Sequence, residues 1–193
     1  FGRNRAAQRW IAILALAAVL VIGVVMVFAV DTAPLVMEVG GWQAPFGIVL
    51  IVDRLSALMV AVSALVLLAV LVFSVGQGLA DGDHETPVSI FFPTYLILGA
   101  GVFTAFIAGD LFNLYVGFEI LLVASYVLMT LGGTTDRIRA GTTYIVVSLV
   151  SSMLFLASIA MIYAAVGTVN IAQISVRMAE VPIMISCAAT RPE

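Results

Sequence analysis

Glu119 is the residue whose type and position most clearly suggest chemistry. It lies within LFNLYVGFEILLVASYVLMTL, residues 111–131, where nearly every other side chain is apolar. A charged side chain at mid-bilayer costs about 2.5–3.5 kcal/mol or more, so such residues usually face other helices or water and mark an ion or proton path. We therefore predict that Glu119 is a proton carrier. The alternative is a protonated glutamate that makes one interhelical hydrogen bond.

The face of the predicted helix around Glu119 carries further polar groups. Four side chains lie within about 40° of Glu119 on a 3.6-residue wheel: Phe112, Tyr115, Tyr126 and Thr130. The two tyrosines can hydrogen-bond a carboxyl or water, or they can pack as ordinary aromatic residues. Asp110 opens the helix, where it either complements the helix dipole or serves in ion uptake. The predicted proton path therefore comprises Tyr115, Tyr126, Thr130 and Asp110.

Other polar residues of the apolar segments have two interpretations. Ser148, Ser151 and Ser152 in the last apolar segment fit close helix packing or a chain of waters. Asp53 and Arg54 begin the second segment, where they are expected to anchor it at the membrane surface.

A cation near Glu119 would favour its ionised form, and moving that cation would drive proton release and uptake. All eight basic residues are arginines, and none lies inside a predicted span. Arg137 follows Glu119 by 18 residues, about 27 Å along a continuous helix, which is too far. The sequence therefore predicts that any such cation lies outside these 193 residues.

The composition is that of an integral membrane protein. The chain is 63% hydrophobic and 10% charged, with a mean hydropathy of +1.22, whereas soluble domains are about 45–50% apolar and about 25% charged. The single cysteine, Cys187, excludes an intrachain disulfide and a cysteine-rich metal site. His84, the single histidine, is expected to be a solvated loop residue. No metal site, cofactor, nucleic-acid partner or enzymatic motif is predicted.

The predicted fold is an all-α membrane protein with about five transmembrane helices, because a span needs about 20 apolar residues. These spans are Trp10–Val30, Asp53–Val75, Phe91–Ala108, Leu111–Leu131 and Tyr144–Val166. The sequence GGWQA and its β-branched flanks predict a surface β-hairpin over about residues 35–52. GGTTDRIRAGT predicts a polar turn before the fifth span. Helical spacing of apolar residues predicts an amphipathic helix over about residues 168–180.

The arginines predict the orientation in the membrane. Five spans place Arg3, Arg5, Arg9, Arg137 and Arg139 on one side. Arg54 and Arg177 fall on the other side. The positive-inside rule makes the first side cytoplasmic, so the N-terminus of this chain is expected in the cytoplasm.

One stretch resembles a known family. TAFIAGDLFNLYVGFEILLVASYVLMTLGG is similar to the D-type subunit of Mrp-type multisubunit Na⁺/H⁺ antiporters, and GGWQAPFGIVLIVDRLSALMV is a second match. That protein is related to the proton-pumping subunits of respiratory complex I. The resemblance covers about residues 5–180 and implies that this chain is an N-terminal fragment of a longer subunit. The family's glutamate at the position of Glu119 is the transport carboxylate, and it pairs with a lysine on a later helix.

The resemblance implies other subunits, protons, Na⁺ and the lipid bilayer as partners, in a multi-pass protein of a bacterial cell membrane. A proton-pumping subunit of a quinone oxidoreductase or membrane-bound hydrogenase is an alternative function. A purely structural assembly module is another. In each case the chain is predicted to be one membrane domain, residues 1–193, with no enzymatic chemistry of its own.

Overall fold

The computed structural model describes residues 5–31, 33–42, 47–77 and 90–178. Its helices are α1 (Arg5–Ala29), α2 (Arg54–Gly76), α3 (Phe91–Ile107), α4 (Leu111–Thr130) and α5 (Thr135–Val166). Residues 171–178 form a further short helix, the C-terminal helix. Predictions about Arg3, His84 and Cys187 lie outside the described residues.

The predicted fold class is confirmed. Within the described residues, α1, α2, α4 and α5 are long and apolar enough to cross a membrane. The shorter α3 is an apolar helix of 17 residues, at the lower end of the range for a span of about 17–25. Large apolar side chains cover the outside of the helices, including Phe28 at 76% exposure and Phe73 at 62%, as expected for surfaces that face lipid or other membrane subunits.

A two-stranded antiparallel sheet connects α1 and α2. Its strands are β1 (Leu35–Glu38) and β2 (Val49–Val52), with Leu35 opposite Val52. The other edge of β2 meets the α3–α4 turn, where the Gly109 N–H donates to the Val49 carbonyl at 2.8 Å. The hairpin therefore holds the start of α4.

The α5 end of the chain contacts the same turn. The Leu111 N–H donates to the Val169 carbonyl at 2.9 Å, and the Ile171 N–H donates to the Gly109 carbonyl at 3.1 Å. These bonds fix the chain between α5 and the C-terminal helix beside the start of α4. Aspartates stabilise the starts of two helices, since Asp53 caps α2 and Asp110 caps α4.

The helices α1, α2 and α3 share an apolar core. Its buried members are Ala12, Leu16, Leu71, Phe92 and Tyr95. The Tyr95 hydroxyl donates to the Leu67 carbonyl of α2 at 2.8 Å. This bond gives the buried hydroxyl a hydrogen-bond partner, which lipid tails could not provide. Of these three helices, α3 is the one against which α4 packs.

Two glycines bring α3 and α4 together. A Cβ added to Gly101 would lie 2.9 Å from the Gly117 carbonyl oxygen, and one added to Gly117 would lie 3.0 Å from the Ala105 nitrogen. Small residues permit such close backbone approach in membranes, where helix association depends on van der Waals packing. The opposite side of α4 is then available to α5.

One predicted boundary was wrong. The polar turn before the fifth span was expected to reach Thr142, whereas α5 begins at Thr135. The real turn is short and uses Gly132 and Gly133, both with positive φ, a conformation that glycine adopts without steric cost. A hydropathy window detects the part of a helix that is apolar, so it omitted the polar first turns of α5. For the same reason α1 begins at Arg5, before the predicted Trp10.

Candidate functional site

Glu119 lies near the middle of α4 and is half-buried. The helix begins at the Asp110 cap and ends before the Gly132–Gly133 turn, so the apolar run is one uninterrupted helix with the carboxyl at its ninth position. The Glu119 Oε1 atom accepts a hydrogen bond from the Ser152 hydroxyl of α5. The site is therefore formed between α4 and α5.

Ser152 also contacts Tyr115. The two hydroxyl oxygens are 3.1 Å apart, and Ser152 is buried, with 4% exposure. Tyr115 lies one turn before Glu119 on α4, as the helical wheel predicts. Tyr115, Ser152 and Glu119 therefore form a continuous hydrogen-bonded row.

Aromatic rings lie beside this row. Phe155 of α5 makes edge contacts with Tyr115 and Phe118, at centroid distances of 5.9 and 6.0 Å. These contacts are further packing between α4 and α5 next to the site.

A pocket lies on the other side of Glu119, toward the Thr130 end of α4. Its volume is about 50 Å³, and it is lined by Glu119, Leu122, Val123, Tyr126, Tyr144, Ile145, Ser148, Leu149 and Ser152. A cavity needs about 10–15 Å³ and two to four polar partners to hold one water. The pocket is large enough for water, and five of its lining side chains have polar atoms, but almost all of its surface is apolar.

The structure brings Tyr115 and Tyr126 to Glu119, but it gives Thr130 a different contact. Tyr126 lines the pocket. The Thr130 hydroxyl donates to the Tyr126 carbonyl of its own helix at 2.9 Å, which is a common way for a helical threonine to satisfy its hydroxyl. Phe112, on the same face, is 50% exposed and contacts the ring of Tyr115.

Asp110 is a buried helix cap, far along α4 from Glu119. Its Oδ1 accepts from the Asn113 N–H at 2.6 Å and its Oδ2 from the Val49 N–H at 3.4 Å. Both oxygens therefore have backbone donors, one of them from the hairpin. The structure does not bring Asp110 together with Glu119.

The serines of α5 divide into two groups. Ser151 is exposed and donates to the Val147 carbonyl at 3.0 Å, whereas Ser148 and Ser152 line the pocket. Sequence reasoning left these three serines open and did not single out Tyr144. The signal was the spacing of four residues from Tyr144 to Ser148 and from Ser148 to Ser152, which places all three on one helical face.

Among the described residues, no group of three or more His, Cys, Asp or Glu side chains could hold a metal ion. Arg137 donates to the Leu131 carbonyl at 2.6 Å, at the far end of α4. A carboxyl with hydroxyl neighbours, as at Glu119, is a group that can take up and release a proton.

Comparison with known proteins gives consistent matches. Residues 108–189 match the family described as NADH:quinone oxidoreductase/Mrp antiporter, TM. The D-type subunit of the Na⁺/H⁺ antiporter of Alkalihalophilus pseudofirmus is 38% identical over 181 residues, which is 93% of this chain and 36% of that protein. A putative antiporter subunit mnhD2 of Staphylococcus epidermidis is 41% identical over 79% of this chain and 30% of its own length. Over most of its own length, this chain resembles D-type Mrp antiporter subunits.

Solved structures share the fold of this chain. The Mrp complex from a Dietzia species aligns with a TM-score of 0.76 and 30% identity over 90% of this chain and 35% of that one. An archaeal membrane-bound sulfane sulfur reductase aligns with a TM-score of 0.78 and 27% identity over 87% and 34%. The curated relatives are named as antiporter subunits, which are transporter subunits. The chain spans about a third of the length of the proteins it matches.

Proposed function

We propose that this chain provides the proton-carrying part of a subunit of a multisubunit monovalent cation/proton antiporter, with Glu119 as the proton carrier. The observation that carries the proposal is an ionisable carboxyl in the middle of an apolar 20-residue helix. This carboxyl is hydrogen-bonded to α5 and borders a small pocket. A membrane protein retains such a group where it faces other helices or water. Relatives with sodium and proton antiport in their names support this choice.

The proposed path has Glu119 at its centre. Tyr126 and the pocket lie on one side of the carboxyl, and Tyr115 lies on the other side, joined through Ser152. Water in the pocket would pass a proton to and from Glu119. Roles for Thr130 and Asp110 in this path stay predictions, since both make contacts of their own with backbone groups.

The proposed function also predicts the location, orientation and partners of the protein. The protein would reside in a bacterial cell membrane, with the Arg5 end of α1 and the α4–α5 turn in the cytoplasm by the positive-inside rule. Its partners would be other subunits of the complex, with protons and Na⁺ as the exchanged ions and lipid around the exposed helix faces. A cation that pairs with Glu119 would come from outside the 193 residues.

A second candidate is a proton-pumping subunit of a redox-driven membrane complex. The likeness to the sulfane sulfur reductase, described as an archaeal respiratory membrane complex, favours it. The two candidates differ in their energy source. Antiport runs in vesicles from a Na⁺ gradient alone, whereas a redox pump needs an electron donor.

The test uses the complete complex in everted membrane vesicles, with Na⁺-driven proton exchange followed by a pH-sensitive dye. Glu119→Ala should abolish exchange, because no carboxyl remains. Glu119→Asp should retain part of it, because the shorter acid still carries a proton. Complex assembly on native gels is the control, since a purely structural role would change assembly and leave exchange by assembled complexes intact. Full exchange in assembled Glu119→Ala complexes would contradict the proposal.

A further inference from the structure

Ser152 satisfies its hydroxyl differently from two other serines of α5. Ser151 donates to the Val147 carbonyl at 3.0 Å and Ser158 to the Leu154 carbonyl at 2.8 Å. This bond to the preceding turn is the usual one for a serine in an apolar helix. Ser152 instead contacts Glu119 and Tyr115 of α4. Its hydroxyl therefore bonds to side chains of the site rather than to the backbone of its own helix.

The protonation of Glu119 fixes the direction of these hydrogen bonds. An ionised carboxylate only accepts, so Ser152 must donate its single hydrogen to Glu119 and can then accept from the Tyr115 hydroxyl. A protonated Glu119 can donate to Ser152, which then donates to Tyr115. The hydrogen bonds among Tyr115, Ser152 and Glu119 therefore run in one direction when the carboxyl is ionised and in the other when it is protonated.

We propose that Ser152 is a positioning residue for proton exchange: its hydroxyl holds the Glu119 carboxyl at the α4–α5 contact in both protonation states. The proposal rests on the proposed function of Glu119. Two features support it: Ser152 is one of few buried residues of α5, and a hydroxyl can donate to a carboxylate and accept from a carboxylic acid. Burial also keeps bulk water from replacing the hydroxyl.

Other ionisable groups around Glu119 are tyrosines, in the part of the chain that the structure describes. Tyr126 of α4 and Tyr144 of α5 line the pocket, and Tyr115 is reached through Ser152. On its other side α4 meets α3 through Gly101 and Ala105, which carry no ionisable side chain. Substitution of Ser152 therefore removes a contact of the carboxyl and of Tyr115.

The experiment compares rates of Na⁺-driven proton exchange in vesicles that contain equal amounts of the complete complex. Ser152→Ala should lower the rate by about tenfold, the size expected for loss of a hydrogen bond to a charged group. Ser152→Thr retains a hydroxyl and should restore the original rate. Ser151→Ala is the matched control and should leave the rate unchanged.

Two further variants make each outcome decisive. Tyr115→Phe removes the donor to Ser152 and should lower the rate by a smaller factor, and it decides the matter if Ser152→Ala complexes fail to assemble. An unchanged rate in Ser152→Ala, or in Tyr115→Phe when that variant decides, would overturn the inference. Glu119→Ala in the same vesicles separates the two proposals. If it abolishes exchange while Ser152→Ala exchanges at the original rate, only the role of Ser152 fails; if it leaves exchange intact, the proposed function fails.

Discussion

Gly101 offers a quantitative test of how α4 is held. A Cβ on Gly101 would lie 2.9 Å from both the Gly117 oxygen and the Leu121 nitrogen. These are backbone atoms of α4, so they cannot rotate away as a flexible side chain would. Restoring an ordinary contact of 3.4 Å requires that the helices separate by about 0.5 Å. Overpacking of this kind costs about 1–3 kcal/mol.

Gly99 is the matched control on the same helix. A Cβ there would meet only the ends of side chains, with Leu67 Cδ1 nearest at 3.3 Å. Both substitutions to alanine change the intrinsic helix preference equally, so that contribution cancels in the comparison. We expect Gly101→Ala to have a free energy of unfolding about 1–3 kcal/mol below that of Gly99→Ala.

The assay is SDS-induced unfolding of the complete subunit in detergent, followed by circular dichroism. The midpoint for Gly101→Ala should fall at a lower SDS fraction than the midpoint for Gly99→Ala. Equal midpoints would refute the reasoning, because they would mean that α3 and α4 do not meet at Gly101 and Gly117 as closely as the structure has them.

Two further predictions concern the caps. Asp110→Asn should preserve exchange per assembled complex but lower the stability of the subunit, because the amide oxygen can still accept from the Asn113 N–H while the NH₂ group cannot accept from the Val49 N–H; loss of exchange by assembled Asp110→Asn complexes would instead assign Asp110 to the ion path. Hydrogen bonds from the backbone N–H and then the hydroxyl of Ser56 lower the pKa of Asp53 from its ordinary value of 3.8. A carboxyl whose pKa is lower in the folded state than in the unfolded state stabilises the folded protein while it is ionised. The stabilisation by Asp53 is therefore complete above its unfolded pKa of 3.8, and it disappears as the pH falls through the folded pKa. Acid unfolding of Asp53→Asn should lack that component, and acid unfolding curves of the same shape for Asp53→Asn and the original protein would contradict it.

Much of the fold could be predicted because the helix ends have local signals. Asp110 at the start of α4 and the Gly132–Gly133 turn after it determine that helix from the sequence alone. The start of α5 could not be found by hydropathy, because its first turns are polar and lie beyond the apolar part of the helix. The hairpin was predictable from GGWQA and the β-branched residues around it.

The site was only partly predictable. Tyr115 and Tyr126 share a helix with Glu119, so helical geometry alone places them on its face. Ser151 and Ser152 are neighbours in sequence but differ by about 100° around α5. Which of them meets Glu119 depends on how α5 is rotated against α4, and that rotation results from tertiary packing, which no single segment of sequence encodes.

Exchange by Glu119→Gln tests the central claim most directly. Glutamine keeps the size of the side chain and an oxygen that can accept from Ser152, so the contact between α4 and α5 should persist and only the proton is lost. The complete complex, reconstituted in liposomes with equal amounts of assembled protein, should show no Na⁺-driven proton exchange in this variant. Exchange at the rate of the original protein would contradict the account.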